Sequence, residues 1–371
     1  MSLSVDFMGI KLNNPIIAAS GSWCRNGEMM KKAVAVGAGA VVTETIVNEI
    51  RRNVRPRLVR VDRGVQNIRL YSDFSLEEWE REIYEVKSAG GTVIANILAH
   101  SPSEMAYVAG RVERFGADAI ELGVASPHGE GVAVLASNPN RVFELTKSVS
   151  DKVKIPVMVK MSPSVNNMAE VAVAAEKAGA KAISGIDTVR AIIGVDIQKE
   201  RPLLPTYGGY SGSPIRPIGL AAIATISQAV DIQVCGVGGI ENYKNAIEYM
   251  MLGASTVQIG TAVLMNGFGI FEKIIEDLDR WVRESQYQNI SEIRGNALTA
   301  LKSFEEMKVE PYTASLMREC SDSDCQSCLA SCMYNAICYD EDKVIIDSNK
   351  CTGCGMCVSL CPQKKIEFIW K

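Results

Sequence analysis

Cysteine is the residue type that points most clearly to chemistry in this sequence. Nine of the 11 cysteines of the 371-residue chain lie between Cys320 and Cys361. The last four have the spacing C-x2-C-x2-C-x3-C and precede Pro362. In bacterial ferredoxins this spacing lets three thiolates bind one 4Fe–4S cluster and the fourth bind another, whereas zinc sites favour two separated C-x2-C pairs. The sequence therefore predicts iron–sulfur chemistry in this segment.

The preceding cysteines follow an irregular form of the same pattern. A regular run would begin at Asp322, but the chain has the spacing C-x4-C-x2-C-x3-C from Cys320 to Cys332. The two predicted ligand sets are Cys320, Cys325, Cys328 and Cys361 for one 4Fe–4S cluster, and Cys332, Cys351, Cys354 and Cys357 for the other. Cys338 is left over as a structural cysteine, with the alternative that it replaces Cys320.

A second group of residues suggests a phosphate and a flavin. Segments 236–239 and 258–261 are glycine-containing turns after β-branched runs. Such turns let backbone N–H groups close around a phosphate, although one turn alone often only ends a strand. Lys160 ends another apolar run, and a buried lysine needs an anionic partner; a surface lysine is the alternative. A phosphate and a lysine facing a ring that becomes anionic on reduction suggest FMN, which couples one-electron clusters to hydride transfer.

Ser126 is the candidate for proton transfer. It begins a loop rich in proline and glycine that is suited to cover the site as a lid. Its hydroxyl would exchange a proton with a substrate carbon while flavin N5 handles the hydride. His128, one of two histidines in the chain, is a second candidate in the same loop. Both residues are also compatible with an ordinary turn.

The elements that must position these residues alternate along the chain. The predicted strands are 15–19, 40–45, 92–98, 119–123, 157–161, 182–186, 233–237 and 256–260. Helical patterns between them include 75–88, 103–115, 169–178, 217–229 and 243–252. Eight strand–helix repeats predict an α/β fold, a (β/α)8 TIM barrel, with an open doubly wound sheet as the alternative. No G-x-G-x-x-G follows the first strand, so a dinucleotide-binding domain is not predicted.

Three segments make up the predicted organisation. Residues 1–290 form the FMN-binding barrel, 291–318 form a helical connection, and 319–371 form a ferredoxin-like domain with two 4Fe–4S clusters. The last segment is too short for a sizeable core, so we expect bound metal to supply much of its folding energy.

Charge and hydropathy exclude several classes of partner. The net charge is −4, which argues against nucleic acid or an anionic membrane, because both need a basic surface. No run of 18 apolar residues is present, so no membrane span is predicted. The first residues include Asp6 and lack the pattern of a signal peptide. We therefore expect a cytoplasmic protein.

Over nearly all of its length, the sequence resembles the dihydroorotate dehydrogenase superfamily. The likeness is closest to the FMN and iron–sulfur part of dihydropyrimidine dehydrogenase, including the bacterial subunit that carries only this part. Segment 207–218 is the most specific match. The other matching positions are 18–21, 67–68, 126–129, Lys160, 238–240 and 260–262.

The resemblance implies roles for the matching residues. The residues that would border the isoalloxazine ring are Ala19, Ser20 and Gly21, with Lys160 at its N1/O2 edge. The residues that would hold the ribityl phosphate are Gly212, Gly238, Gly239, Gly260 and Thr261. Asn67 and Thr188 would face the substrate. Ser126 would be the acid/base of the mobile loop, with help from His128 or water.

Three positions depart from the family pattern. Glu44 stands where a lysine is expected, Gly123 where an asparagine is expected, and Asp187 where the asparagine before Thr188 is expected. An ionised carboxylate only accepts hydrogen bonds, whereas an amide also donates them. We therefore expect a pocket that disfavours an anion such as orotate and accepts a donor-rich or cationic ligand.

The leading hypothesis is an oxidoreductase that acts on a C=C bond of a small, pyrimidine-like ring. Electrons would come from a ferredoxin or from an FAD/NAD(P)H-binding partner subunit, in a homodimer or a heteromeric complex. The main alternative is an electron-transfer subunit that performs no small-molecule chemistry. Its motivation is that Glu44, Gly123 and Asp187 replace the residues that the family pattern has at these positions. A metal-dependent aldolase-like barrel is disfavoured because two histidines leave few nitrogen ligands.

Overall fold

The computed structural model describes residues 2–50, 53–124, 136–308, 310–320, 325, 327–340 and 343–370. The chain divides into two compact units, Met1–Leu301 and Lys302–Lys371. Within the described ranges, every helix is too short or too polar to cross a membrane.

Eight parallel strands in the first unit close into a barrel in chain order, with β8 paired to β1. They are β1 (Ile16–Ala18), β2 (Ala40–Val42), β3 (Val93–Ile97), β4 (Ala119–Leu122), β5 (Val157–Met161), β6 (Ala182–Gly185), β7 (Gln233–Val237) and β8 (Thr256–Ile259). Every residue of β3, β4 and β5 is buried, as expected for parallel strands covered by helices. The predicted TIM barrel is confirmed, and the open-sheet alternative is wrong.

Helices follow the strands on the outside of the barrel. They are α1 (Gly27–Ala35), α2 (Leu76–Ser88), α3 (Pro102–Arg114), α4 (Pro139–Ser150), α5 (Met168–Lys177), α6 (Arg216–Ala229), α7 (Tyr243–Met251) and α8 (Gly269–Glu284). Local sequence sets where they begin. Ser75 and Glu78 form a reciprocal capping box at α2, and α3 begins with a proline after the capping Ser101.

A four-stranded antiparallel sheet is inserted after β2 and β6. Its strands, in spatial order, are Val189–Ala191, Gly208–Gly212, Gly64–Asn67 and Leu58–Val61. Gly209 is the partner of Asn67, and Gly212 is the partner of Gly64. Because this sheet is built from connections at the C-terminal ends of the barrel strands, it borders the end where barrel enzymes bind their ligands.

The second unit is small and has few buried residues. Strand Tyr312–Leu316 pairs with Ile366–Trp370, and Ile337–Asp340 pairs with Lys343–Ile346. Two short helices, Ser327–Ser331 and Met356–Leu360, lie between these strands in sequence. The buried apolar residues that form its core are Ala314, Cys328, Ile337, Val344, Cys357 and Ile366. This unit agrees with the predicted small ferredoxin-like fold.

The predicted helical connection over 291–318 is wrong. Single 3-10 turns occur at Ile290–Ile293, Leu298–Ala300 and Phe304–Glu306, and residues 312–316 form the strand already described. The second and third turns contain no buried residue. A helix in a protein is stabilised mainly by packing its apolar face, and the second and third turns have no such face.

Candidate active site

A cleft of about 1270 Å³, counting the part open to solvent, lies at the C-terminal end of the barrel. Residues at or just beyond the ends of all eight strands line it. The predicted site residues that the structure brings together in this lining are Ala19, Ser20, Gly21, Glu44, Asn67, Lys160, Asp187, Thr188, Gly212, Gly238, Gly239, Gly260 and Thr261. This is the end at which TIM-barrel enzymes carry their active sites.

Two predicted site residues belong to a segment for which the structure provides no description. Ser126 and His128 fall within 125–135, outside the described residues. The roles assigned to them therefore stay predictions. The described chain reaches the cleft wall at Gly123 and resumes at Ala136.

Lys160 lies at the floor of the cleft and is bound to Glu121. Lys160 Nζ donates to Glu121 Oε2 at 3.1 Å, and both residues are buried. Glu121 Oε2 also accepts from Asn96 Nδ2 at 2.6 Å. Glu121 Oε1 accepts from Ser184 Oγ at 2.8 Å and from Gln258 Nε2 at 2.7 Å. Side chains from β3, β4, β5, β6 and β8 thus meet at one carboxylate.

This network keeps both charged groups ionised. Burial opposes ionisation of Glu121, but the charge of Lys160 and the three other donors outweigh it, so the pKa of Glu121 is lowered. Burial likewise opposes the charged form of Lys160, but the carboxylates of Glu121 and Asp187 raise its pKa. Lys160 therefore presents a fixed positive charge to the cleft.

Two buried acceptors beside this network have no protein partner. Asn96 Oδ1 and Gln258 Oε1 accept no hydrogen bond, although the other amide atom of each residue donates to Glu121. Both residues line the cleft. An unpaired buried acceptor costs free energy, so these two oxygens are suited to receive N–H groups from a ligand.

Glycines form part of the cleft lining. Gly239 has φ +68°, and a Cβ atom there would lie 2.8 Å from the carbonyl oxygen of Gly212 and 3.0 Å from the backbone nitrogen of Arg216. Gly238 and Gly212 also have positive φ, +125° and +103°. Arg216 begins α6, so this recess adjoins the N-terminus of a 14-residue helix. Backbone N–H groups and the helix dipole favour an anion such as phosphate here.

Trp23 packs the loop after β1 against Gly260 at the end of β8. The indole Nε1 donates to the carbonyl oxygen of Ala19 at 2.6 Å. A Cβ atom at Gly21 would lie 2.5 Å from the ring, and one at Gly260 would lie 2.8 Å from it. Thr261 Oγ1 donates to Ser211 Oγ at 2.8 Å. Close packing therefore explains why glycines occupy these two positions.

Glu44 forms a buried ion pair that the sequence analysis did not anticipate. Arg69 Nη2 donates to Glu44 Oε2 at 2.7 Å, and Arg69 Nε lies 2.5 Å from Glu44 Oε1. Both residues are buried and line the cleft. Arg69 also contacts Asp73, whose side chain is half exposed. Burial raises the pKa of Glu44 to about 7, even though the charge of Arg69 opposes this shift.

The other substrate-side positions have defined local contacts. Asp187 Oδ1 accepts from the backbone N–H of Thr188 at 2.6 Å. Asn67 Oδ1 accepts from the backbone N–H of Arg69 at 2.7 Å. A Cβ atom at Gly123 would lie 2.8 Å from Asn96 Oδ1. An asparagine at position 123 would therefore displace Asn96, which accounts for the glycine at this departure from the family pattern.

Two cavities in the second unit are each lined by four cysteines. The cysteines lining the first are Cys320, Cys325, Cys328 and Cys361. The cysteines lining the second are Cys332, Cys351, Cys354 and Cys357. These are the two ligand sets expected from the spacing. Cys338 is exposed and lines neither cavity, so the geometry favours Cys320 over Cys338 in the first set.

The sequence analysis missed Glu121 and Arg69. Glu121 was visible as a single charge inside the apolar run 119–122, and a buried Lys160 required an anionic partner. Arg69 had no comparable signal, because it follows Asn67 by two residues in a polar connection. Only the fold shows that this connection returns to the end of β2.

Comparison with known proteins identifies the family profiles and the relatives that this sequence matches. The dihydroorotate dehydrogenase family profile matches residues 2–282, and a 4Fe-4S binding domain profile matches residues 342–363. The catalytic subunit of dihydroorotate dehydrogenase B (NAD(+)) from Pyrococcus abyssi is 38% identical over 303 residues, 80% of this chain and 99% of that protein. The subunit of the same name from Thermoplasma volcanium is 38% identical over 299 residues, 80% of this chain and 98% of that protein.

A solved structure supports the fold independently. A dihydroorotate dehydrogenase from Eimeria tenella, in complex with ferulenol, superposes with a TM-score of 0.71 at 19% identity, covering 79% of this chain and 88% of that one. Since the family profile covers residues 2–282 and relatives are 38% identical over 80% of the sequence, the chain belongs to the dihydroorotate dehydrogenase family.

Proposed function

We propose that the chain is an FMN- and 4Fe–4S-dependent oxidoreductase that reduces or oxidises an activated C=C bond of a small, pyrimidine-like ring. The observation that carries the proposal is a single cleft with a glycine-lined anion recess on one wall and Lys160 at its floor. Family membership supports an oxidoreductase acting on CH–CH bonds. The two cysteine-lined cavities support electron transfer.

The residues present fit FMN. A side chain at Gly212 or Gly239 would collide with neighbouring backbone, so glycine lets this turn form next to the N-terminus of α6, a position that favours a phosphate. Asn96 Oδ1 and Gln258 Oε1 are buried acceptors that lack a donor, and the isoalloxazine edge presents an N–H group. When bound, FMN would supply the exchange between single electrons and hydride.

The chain's own groups would orient the reactants and move the proton. Lys160, held by Glu121, would keep a positive charge beside the ring on which negative charge develops. Asn67 and Thr188 would position the substrate. Ser126, in the segment after β4, would transfer a proton to or from the substrate carbon next to the one that exchanges hydride.

Each cysteine set is proposed to hold one 4Fe–4S cluster. The 4Fe-4S profile covers the C-terminal run of cysteines, and each cavity has contributions from both cysteine runs. That crossed arrangement is the one found in two-cluster ferredoxins. A ferredoxin or an FAD/NAD(P)H-binding subunit would exchange electrons with these clusters.

The relatives support a partner subunit. The Pyrococcus abyssi protein is named a catalytic subunit of an NAD(+) enzyme, and the present sequence shows no nucleotide-binding fingerprint at its first strand. About a fifth of this chain lies outside the alignment with that relative, which covers 80%. We propose that NAD(P)H, if used, reacts on a second polypeptide and that electrons enter here through the clusters.

Anaerobic purification followed by absorption spectroscopy and quantitation of released flavin, iron and sulfide tests the cofactor assignment. We expect one FMN and about eight irons per chain. Cys325→Ser should lower the iron to about four per chain, whereas the matched variant Cys338→Ser should leave about eight. Iron without FMN would overturn the assignment of the barrel cleft.

A Ser126→Ala variant tests whether the cleft performs chemistry. We expect turnover of unsaturated heterocycles to fall by about 10²–10⁴-fold, the usual contribution of a general acid or base, while the flavin content stays constant. Unchanged turnover with every candidate substrate and electron partner would instead support the alternative of an electron-transfer subunit.

A further inference from the structure

The ion pair between Glu44 and Arg69 is the feature of the cleft that the proposed function leaves without a role. Glu44 follows β2, and Arg69 follows the inserted strand Gly64–Asn67. They are 4% and 8% exposed, and two nitrogens of Arg69 face the two oxygens of Glu44 at 2.5 and 2.7 Å. The contact from Nη2 to Oε2 is a charge-assisted hydrogen bond, and the contact from Nε to Oε1 adds a second close approach of opposite charges.

The charges that line the cleft leave little attraction for an anionic substrate. Among the described residues of the lining, the cations are Arg69 and Lys160 and the anions are Glu44, Asp187 and Glu241. Each cation already has a carboxylate partner, Arg69 in Glu44 and Asp73, and Lys160 in Glu121. A ligand carboxylate therefore has to compete for a guanidinium that already contacts two carboxyl groups.

In a buried site, competition of this kind makes the free energy of binding less favourable. If a ligand carboxylate took the place of Glu44 on Arg69, Glu44 would be left buried without its cation, and breaking a buried pair is strongly destabilising. If Glu44 kept its place, the ligand carboxylate would share the lining with Glu44, Asp187 and Glu241, of which Glu241 is paired with Arg63. Neither arrangement offers a carboxylate the paired environment that burial of a charge requires.

An uncharged ring meets no such cost. A cyclic amide or imide needs only donors and acceptors, and Asn67 and Thr188 lie in the same lining. On these grounds we propose that the Glu44–Arg69 pair makes this cleft select an uncharged cyclic amide or imide over the same ring bearing a carboxylate. This inference rests on the proposed function, because it assigns a substrate class to the same cleft.

The test compares two rings that differ by one carboxylate. Uracil and orotate are titrated into the anaerobic holoprotein, and binding is followed by the change in flavin absorbance. For the natural sequence we expect uracil to bind at least about tenfold more tightly than orotate, equivalent to about 1.4 kcal/mol. Orotate binding as tightly as uracil would overturn the proposal, and so would the absence of binding by either ring to a flavin-loaded protein.

Variants identify the pair as the cause. Glu44→Gln removes the buried carboxylate from Arg69, leaves its contact with Asp73, and should improve orotate affinity about tenfold relative to uracil. The double variant Glu44→Gln/Arg69→Met lacks the cation and should lose this gain, while an uncharged replacement of a buried pair is often tolerated by the fold. Asp73→Asn is the matched control, since Asp73 contacts Arg69 but lies outside the lining, and it should change the affinity ratio by less than about twofold.

The outcomes separate this proposal from the function on which it rests. Equal shifts in Glu44→Gln and Asp73→Asn would show a general charge effect and overturn the role of the pair. A protein that holds no flavin, and so gives no spectral signal, would contradict the proposed function itself. A flavin-loaded protein that prefers orotate would leave the flavin chemistry standing and remove only the assigned substrate class.

Discussion

Glu121 accepts hydrogen bonds from four side chains. Its substitution should therefore lower the free energy of unfolding more than the loss of any one neutral donor. Glu121→Gln keeps the shape but leaves Lys160 buried without its direct counter-charge. We expect the free energy of unfolding to fall by about 3–5 kcal/mol, as for other broken buried pairs. Ser184→Ala removes one neutral donor from the same carboxylate and should cost about 1 kcal/mol. Denaturant unfolding of both variants measures this difference, and equal losses would contradict it.

Glu44 should make stability depend on pH in a way that its amide variant removes. Burial raises the pKa of Glu44 from 4.5 to about 7, so the folded state binds this proton more tightly than the unfolded state. The contribution is therefore most favourable at low pH and is lost as pH rises from about 4.5 to about 7. Arg69, Asp73 and Arg57 are the charges that act on Glu44.

The measurement is the difference in unfolding free energy between the natural protein and Glu44→Gln at pH 5 and pH 8. The natural protein should lose up to about 3 kcal/mol relative to the variant between these values. Taking the difference cancels the titration of groups that both proteins share. A difference that stays constant with pH would contradict the raised pKa of Glu44.

The sequence predicted that Lys160 lies in the site, but it did not predict which residue Lys160 contacts. Lys160 ends an apolar run, so its place at the barrel mouth followed from the strand assignment. Its contact with Glu121 depends on how β4 and β5 are staggered, and the register pairs Glu121 with Met158 rather than with Lys160. Arg69 reaches Glu44 only because an inserted sheet folds back over β2, and no local pattern encodes that return.

At the scale of elements, the turn after β7 is proposed to bind phosphate through its backbone. Gly239→Ala would place a Cβ 2.8 Å from Gly212 O and 2.9 Å from Arg216 Cβ, so we expect the variant to lose FMN. Gly90→Ala is the matched control, because Gly90 has a similar φ of +78° but no atom within 4 Å of the added Cβ.

Flavin content and thermal stability together separate the two effects. Gly90→Ala should lose about 1–2 kcal/mol of stability, the usual cost of a left-handed conformation for a residue with a Cβ, and Gly239→Ala should lose more because its Cβ also meets neighbouring atoms. Only Gly239→Ala should lose flavin. Equal flavin content in the two variants would show that the turn after β7 does not form the phosphate recess.

The elements differed in how far the sequence predicted them. The eight barrel strands agree with the expected ranges to within three residues at each end, because parallel strands buried on both faces are continuous apolar runs. The inserted sheet was missed, since strands such as Gly64–Asn67 and Gly208–Gly212 are short and glycine-containing. The helix expected after 290 does not form, because only its start at Ile290 and Ile293 is buried and the turns at Leu298–Ala300 and Phe304–Glu306 have no buried residue.

At the scale of the whole molecule, cysteine distribution predicted a separate C-terminal unit from composition alone. Nine cysteines after residue 319 required a metal-binding fold, and the second unit, Lys302–Lys371, contains them all. The pairing of the cysteines into two sets also followed from their spacing. The boundary was less accurate, because Tyr312–Leu316 belongs to the second unit through its pairing with Ile366–Trp370.

The small core of that unit predicts how it should respond to loss of iron. Six buried residues form its core, and two of them, Cys328 and Cys357, are proposed cluster ligands. A unit of this size needs metal to fold stably, whereas the barrel has an extensive apolar core of its own. Removing iron with a chelator under reducing conditions should therefore unfold Lys302–Lys371 and leave the barrel folded.

Calorimetry and limited proteolysis of the full chain check this response. The iron-loaded protein should show two transitions, and chelation should abolish one while leaving the other within a few degrees. Proteolysis after chelation should yield a stable fragment that ends near residue 301, the limit of the first unit. Cys338→Ser should behave like the natural protein because Cys338 lines neither cavity. A barrel transition that is lost together with the iron would show that the two units depend on each other for stability.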